Sequence, residues 1–320
     1  MVDIRMKKHS GFTLIELMVS LGIGLFLIAG IFTVYINSNK SQKFVEDEVK
    51  LIDDARFALE TISYDLKHAG IYGTLNHESY DKVSEVSRNL FAANPAGQCD
   101  QGTGGWVTRV DQPVFSTNDM NPYSADCIPA AAKYSAGDVF EVRYVSRIDN
   151  AAPLFDDVIY MSSDSNNAQF FLGDNPPTTV SPQSRNYQVV VRAYYLSSYT
   201  DTIGDGIPSL HMVSLQPGPS IKDTLLLEGV SDMQLQFGLA ATNKGTSVVT
   251  WQHPEADMDW SRVIAARIWL VMQSREKVRD VDTSTEFEVA GVIQSYPNDG
   301  YRRTMVTTAV RLRNMNTGGG

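Results

Sequence analysis

Few side chains in this sequence could do chemistry, and one stands out by its surroundings. Glu16 is the only charge in FTLIELMVSLGIGLFLIAGIFTVYI, the 25 residues from Phe12 to Ile36, and no Lys or Arg follows until Lys40. A carboxylate five residues into so apolar a stretch costs a few kcal/mol in a membrane and needs a partner. No Lys or Arg inside the stretch lies within helical reach, which assigns the partner to another chain or to a new terminus. The other sets are weaker. Asp201 and Asp205 in DTIGDGI could offer oxygens to calcium, but the 12-residue EF-hand spacing is absent and a Gly-rich turn uses the same residues. GTGGW at 102–106 lacks the strand and helix that flank a nucleotide-binding glycine loop, and Asp156–Asp157 reads as a solvated turn. The histidines, His9, His68, His77, His211 and His253, include no pair at i, i+4, and two cysteines cannot make a four-cysteine zinc site. No GxSxG, HExxH or Walker motif occurs. The sequence therefore predicts no catalytic residue, no metal and no cofactor, and Trp251, Trp260 and Trp269 as core or interface aromatics.

What must position Glu16 is a membrane helix. Across 320 residues the chain is 43% hydrophobic and 20% charged, an ordinary globular composition, with a net charge of −10 that argues against nucleic acid as a partner. The apolar stretch is the asymmetry within it, since about 20 such residues cross a bilayer as a helix. Arg5, Lys7, Lys8 and His9 precede it, so the positive-inside rule puts the N-terminus in the cytoplasm and everything after Ile36 outside. A cleaved secretory signal would have a shorter apolar region ending at an A-x-A-like site, and YINSNKS has none.

KKHSGFTLIELMVSLGIGLFLIAG resembles the N-terminal signal of type IV pilins and type II secretion pseudopilins. In that family a basic leader ends in Gly, a prepilin peptidase cuts before Phe or Met, and a Glu stands fifth in the mature chain. The resemblance implies a cut between Gly11 and Phe12, with Glu16 as that fifth-position acid. The leader is eleven residues long, and Met6 offers an internal start that leaves MKKHSG. Cleavage removes three basic residues and one acidic, leaving 24 against 36, a charge of −12. It also creates an ammonium on Phe12. In a low-dielectric bundle of helices that ammonium and Glu16 of the next subunit neutralise each other, whereas either alone is disfavoured. The pair is a gauge of packing register.

Beyond Asn39, the residues Val45, Val49, Ile52, Leu59, Ile62 and Leu66 recur at helical spacing, with Gly70 as a stop. One helix from Phe12 to His68 would be about 85 Å long. Gly22, Gly24 and Gly30 within it permit close packing in a membrane, or local unwinding in a filament. After Gly70 the pattern becomes alternating runs at 138–147, 186–196, 231–240, 264–274, 285–295 and 303–312, which predict strands, separated by turn-rich connectors. Residues 76–136 show weak periodicity and predict an elaborated loop region. The expected fold is α+β, a type IV pilin-like lollipop: a long N-terminal helix, half transmembrane and half amphipathic, packed on an antiparallel β-sheet head. The expected divisions are 1–11 leader, 12–36 transmembrane and assembly half, 37–69 amphipathic half, 70–314 periplasmic head and 315–320 flexible tail.

The head resembles the large minor pilins of the PilW type, akin to the J-type pseudopilin, through DDARFALETISYDLKHAGIYG (53–73), GDGIPSL (204–210), EGVSDMQLQFGL (228–239), WSRVIAARIWLVMQSRE (260–276) and YRRTMVTTAVRLRN (301–314). That resemblance implies a low-abundance subunit that primes assembly of a type IV pilus and sits at its tip. Its partners would be other minor pilins, a tip adhesin, the major pilin, the prepilin peptidase and the inner membrane. A J-type pseudopilin of a secretion system and a pilin-anchored adhesive head are the alternatives. Cys99 and Cys127, both beyond the membrane in an oxidising compartment, are expected to form a disulfide.

Overall fold

A computed structural model of the chain describes residues 11–76, 106–107, 109–123, 133–146, 153–177, 181–218, 220–243, 245–255, 257–278 and 281–315. It divides into two units, Met1–Lys50 and Leu51–Gly320. A single helix, α1 (Leu14–His68), contributes to both. Its first 23 residues, to Ile36, have the length and apolarity to cross a membrane, and from Gly11 to Lys50 no side chain is buried. Surface this apolar is incompatible with water and calls for lipid or other helices around it. The helix stays unbroken through Gly22, Gly24 and Gly30. Ser20 Oγ and Thr33 Oγ1 return their protons to the carbonyls of Glu16 and Ala29, at 2.6 and 2.9 Å, so neither hydroxyl asks for water.

In the second unit the last turns of α1 cover a β structure. Ala55, Ala58, Leu59, Ile62, Leu66 and Ala69 are buried, at the i, i+3, i+4, i+7 spacing of one helix face. The expected stripe began at Val45; Val45 and Val49 are instead exposed, and burial begins around Leu51 and Ala55. Gly70, at φ +80°, ends the helix as expected, and Asn314 Nδ2 caps its final carbonyls at Lys67 (3.0 Å) and Ala69 (3.4 Å).

The strands are β1 (Val114–Thr117), β2 (Val139–Val145), β3 (Ile159–Ser163), β4 (Ala168–Leu172), β5 (Arg185–Ser197), β6 (Ser209–Gln216), β7 (Ser220–Glu228), β8 (Val230–Ala240), β9 (Val248–Gln252), β10 (Val263–Gln273), β11 (Thr285–Val289), β12 (Val292–Tyr296) and β13 (Arg303–Arg311). All pairings are antiparallel. The expectation of one sheet is corrected to three. A seven-stranded sheet runs β1-β2-β5-β3-β4, with β6 on the upper half of β5 and β7 beyond β6; a four-stranded sheet runs β13-β10-β8-β9; β11 and β12 form a hairpin. The run at 285–295, expected as one strand, folds back at Ala290 and Gly291, whose φ values of +51° and +85° suit a two-residue hairpin turn.

One core lies between the helix face, Phe140, Tyr194 and Leu196 of the large sheet, and Leu235, Phe237, Ile268 and Leu270 of the small one. A second core lies on the other face of the large sheet, where Val191, Ala193 and Tyr195 meet Trp106, Val107 and Val110. Covered on both faces, β2 is buried at every residue, including Glu141 and Arg143. These two pair with each other, and Arg143 Nε and Nη1 also donate to the carbonyls of Trp106 and Gln112 at 2.6 and 2.7 Å. Residues 106–107 and 109–123 of the expected loop region are thus pinned to the sheet by a buried guanidinium. The small hairpin packs Phe287, Val289, Ala290 and Tyr296 on Trp269 and Val271.

Candidate functional site

At the start of α1, Gly11, Phe12 and Thr13 are exposed and precede the helix. A Cβ at Gly11 would meet nothing within 4 Å, so in the single chain the glycine is not required by its own fold. Glu16, whose charge was expected to find its partner in another chain or at a new terminus, has a local hydrogen-bond partner as well. Its Oε2 accepts the Thr13 N–H and the Thr13 hydroxyl, each at 2.9 Å, while Thr13 Oγ1 accepts the Glu16 N–H at 3.3 Å. This is a capping box, which satisfies N–H groups left open at a helix start. The Thr-x-x-Glu spacing before an apolar run was its signal in the sequence. The box holds the carboxylate four residues along from Phe12 and leaves its other oxygen without a described bond.

A second acid, missed in the sequence reading, fixes the other end of α1. Asp65 is fully buried and accepts from Tyr144 Oη (2.8 Å), from Arg192 Nη1 (2.8 and 3.1 Å) and from Tyr194 Oη. It ties the helix to β2 and β5. Burial and then the Asp65 charge push the Tyr144 and Tyr194 phenols far above their usual range. Burial opposes the Arg192 charge, and Asp65 more than offsets it. The signal was a carboxylate inside an apolar helix face, three residues after Ile62.

A third cluster joins β5, β6 and β7. His211 Nε2 lies 3.0 Å from Ser209 Oγ, and its Nδ1 lies 3.1 Å from Asp223 Oδ1. The order Ser, His, Asp is that of a nucleophile relay. Here Ser209 gives its proton to the Tyr199 carbonyl at 2.7 Å, Ser209 and His211 are fully buried, and Asp223 also holds Lys133 and Tyr195 Oη. Burial pushes the Asp223 carboxyl up, and the hydrogen bonds from His211 and Lys133 outweigh it, leaving it below the usual range. The cluster clasps strands together. The Asp205 oxygens are likewise committed to the N–H groups of Thr200 and Ile207, so DTIGDGI is an Asx-organised turn. Among the described residues no group of three His, Cys, Asp or Glu could hold a metal ion.

Two family models match the chain. Residues 6–32 match the prokaryotic N-terminal methylation motif, and residues 193–314, from within β5 to just beyond β13, match type IV pilus-assembly protein W. The chain is a type IV pilin-family protein with a PilW domain. The motif covers Gly11, Phe12 and Glu16, and the PilW match covers Arg192's neighbour Ala193 through Asn314, which caps α1. No curated protein matches this pilin in sequence. The type IV-like pilin TTHA1219 from Thermus thermophilus is similar in structure at a TM-score of 0.29 and 14% identity, over 56% of this chain and 78% of that one. Membership implies other pilins and a prepilin peptidase as partners, membrane anchoring through the apolar helix, and a structural rather than catalytic family role. Cys99, Cys127 and residues 102–105 lie outside the described residues.

Proposed function

We propose that this protein is a low-abundance minor pilin that helps prime assembly of a type IV pilus and sits at its tip, working by subunit packing. The observation that carries the reading is the pairing of a processing signal with a one-helix scaffold: the capping box of Thr13 and Glu16 opens the helix that Asp65 and Asn314 fasten to the PilW head. Cleavage after Gly11 frees the Phe12 amine, the group the methylation motif marks. The amine then stands one residue before the box, within reach of a Glu16 on a neighbouring subunit. Before assembly the leader faces the cytoplasm, 12–36 spans the inner membrane and 70–314 is periplasmic. Other minor pilins, the major pilin and a tip adhesin contact the exposed stretch and the head. A strain lacking the gene tests the role: a primer is present at a few copies per filament and its loss abolishes surface filaments. Intact filaments in that strain would refute priming, and loss of secreted enzymes with intact filaments would assign the protein to a secretion system.

A further inference from the structure

The two sheets of the head meet at a cluster of carboxylates that the assembly role does not use. The β9 strand covers only Phe237–Ala240 of the β8 edge. Next to that cover, the edge is closed by the residue before β2. Asp138 donates its N–H to the Met233 carbonyl at 2.8 Å, and its Oδ2 accepts the Leu235 N–H at 2.6 Å. Its Oδ1 accepts the N–H of Asp119 at 3.1 Å, a residue held at φ +48°. Gly137 makes this approach possible: at φ +80°, a Cβ there would stand 2.8 Å from the Met233 carbonyl oxygen and 3.3 Å from Asp232 Oδ1.

Every element packed on this point brings an ionisable group. The loop after β1 brings Asp119, β8 brings Asp232, and the segment before β2 brings Tyr134, whose hydroxyl donates to the Gly137 carbonyl at 2.7 Å. Gln234 Nε2 bridges Asp119 (2.9 Å) and Asp232 (3.2 Å). On its far side Asp232 faces Tyr296 of β12, over which the Arg303 guanidinium lies at 5.0 Å. Asp138 is fully buried and Asp232 only 8% exposed. These two buried carboxylates repel each other when both are ionised, and the exposed Asp119 beside them adds its charge at the rim.

We propose that Asp138, with Asp119 and Asp232, is a proton-operated joint between the two sheets, closed in mild acid and loosened as the pH rises. Burial, and then the charges of Asp119 and Asp232, push the Asp138 carboxyl up to about 7 against the two backbone N–H bonds it accepts. Burial raises Asp232 as well. The closed joint thus holds a proton that an opened one has released, so its stability is full in acid and lost as pH climbs towards 7. The chemistry to which the joint responds is protons alone, and the edge it uncovers is Met233–Leu235.

Hydrogen–deuterium exchange of the Leu235 amide tests this in the full chain held in detergent micelles. Between about pH 5 and pH 8, after correction for intrinsic exchange, one proton with these affinities predicts a roughly 80-fold fall in protection. Asp138→Asn keeps an acceptor and removes the proton, so its protection should stay level within about threefold. Asp232→Asn removes a neighbouring charge and should move the midpoint to lower pH. Level protection in the wild-type chain, or an undiminished fall in Asp138→Asn, overturns the proposal. If Asp138→Asn does not fold, the comparison of wild type with Asp232→Asn decides: an unmoved midpoint overturns it.

Discussion

Replacing Asp65 by Ala is the sharpest probe of how the helix is fastened to the head. The substitution removes the acceptor of four contacts, leaving two tyrosine hydroxyls and a guanidinium without it. The Arg192 side chain is 30% exposed and can turn to water, so its loss is partly recovered. The two phenols are buried, and each unsatisfied hydroxyl costs about 1–3 kcal/mol. With some penalty remaining on Arg192, the sum is about 4 kcal/mol, the range seen when one partner of a buried pair is removed. For a head of this size that lowers the melting temperature by about 8–16 °C. Denaturant unfolding followed by tyrosine and tryptophan fluorescence measures it. Asp65→Asn keeps an acceptor and should cost less than Ala. A loss below about 1 kcal/mol for Asp65→Ala would show that apolar packing alone holds the helix and that the network is dispensable.

Three further outcomes follow from the same structure. Gly70→Ala forces a side chain to φ +80° with its Cβ 2.6 Å from the Asn314 carbonyl oxygen, and should cost about 2 kcal/mol by denaturant midpoint. A chain beginning at Lys40 should be a soluble folded head, whereas one beginning after Gly70 loses Ala55, Ala58, Leu59, Ile62 and Leu66 from the core and should aggregate in size-exclusion chromatography. Cys99 and Cys127 should resist thiol labelling under non-reducing denaturation, and their closed loop should contribute about 3–4 kcal/mol; two reactive thiols would refute the pairing.

The parts of the fold that show in the sequence are those where burial is one-sided. The helix face from Ala55 to Leu66 has a helical period because only one side meets the sheets, and β8, β10 and β13 stand out through their β-branched and aromatic content. Prediction failed where burial was two-sided or the turn was short. Glu141 and Arg143 give β2 the alternation of a one-sided strand, yet both are buried, with Arg143 held by the Trp106 and Gln112 carbonyls. The Ala290–Gly291 turn lacks the Asn-Gly or Asp-Gly usual in such hairpins, so β11 and β12 merged into one run. The strands β6 and β7 were absorbed into connectors because His211, Ser214, Lys222 and Asp223 break their apolar pattern; the clasp around Asp223 explains two of the four. At the helix start Glu16 was legible from its apolar surroundings, while its bond to Thr13 was hidden because a search for a counter-charge passes over a neutral hydroxyl. Asp65 was overlooked because the reading of that stripe counted apolar residues only.

The capping box makes Glu16→Gln the most direct test of the central claim that this pilin works by packing. Glutamine at this position can still accept the Thr13 N–H, so the helix start is kept and only the charge is lost. Gly11→Val serves as the processing control, since it should leave an uncut precursor. The measurement is co-purification of the mature protein with the other minor pilins. Glu16→Gln should be cleaved normally, seen as mature size on a gel, with markedly weaker recovery in the complex, because the Phe12 ammonium of the adjoining subunit would lose its counter-charge. Recovery at the wild-type level would contradict that claim.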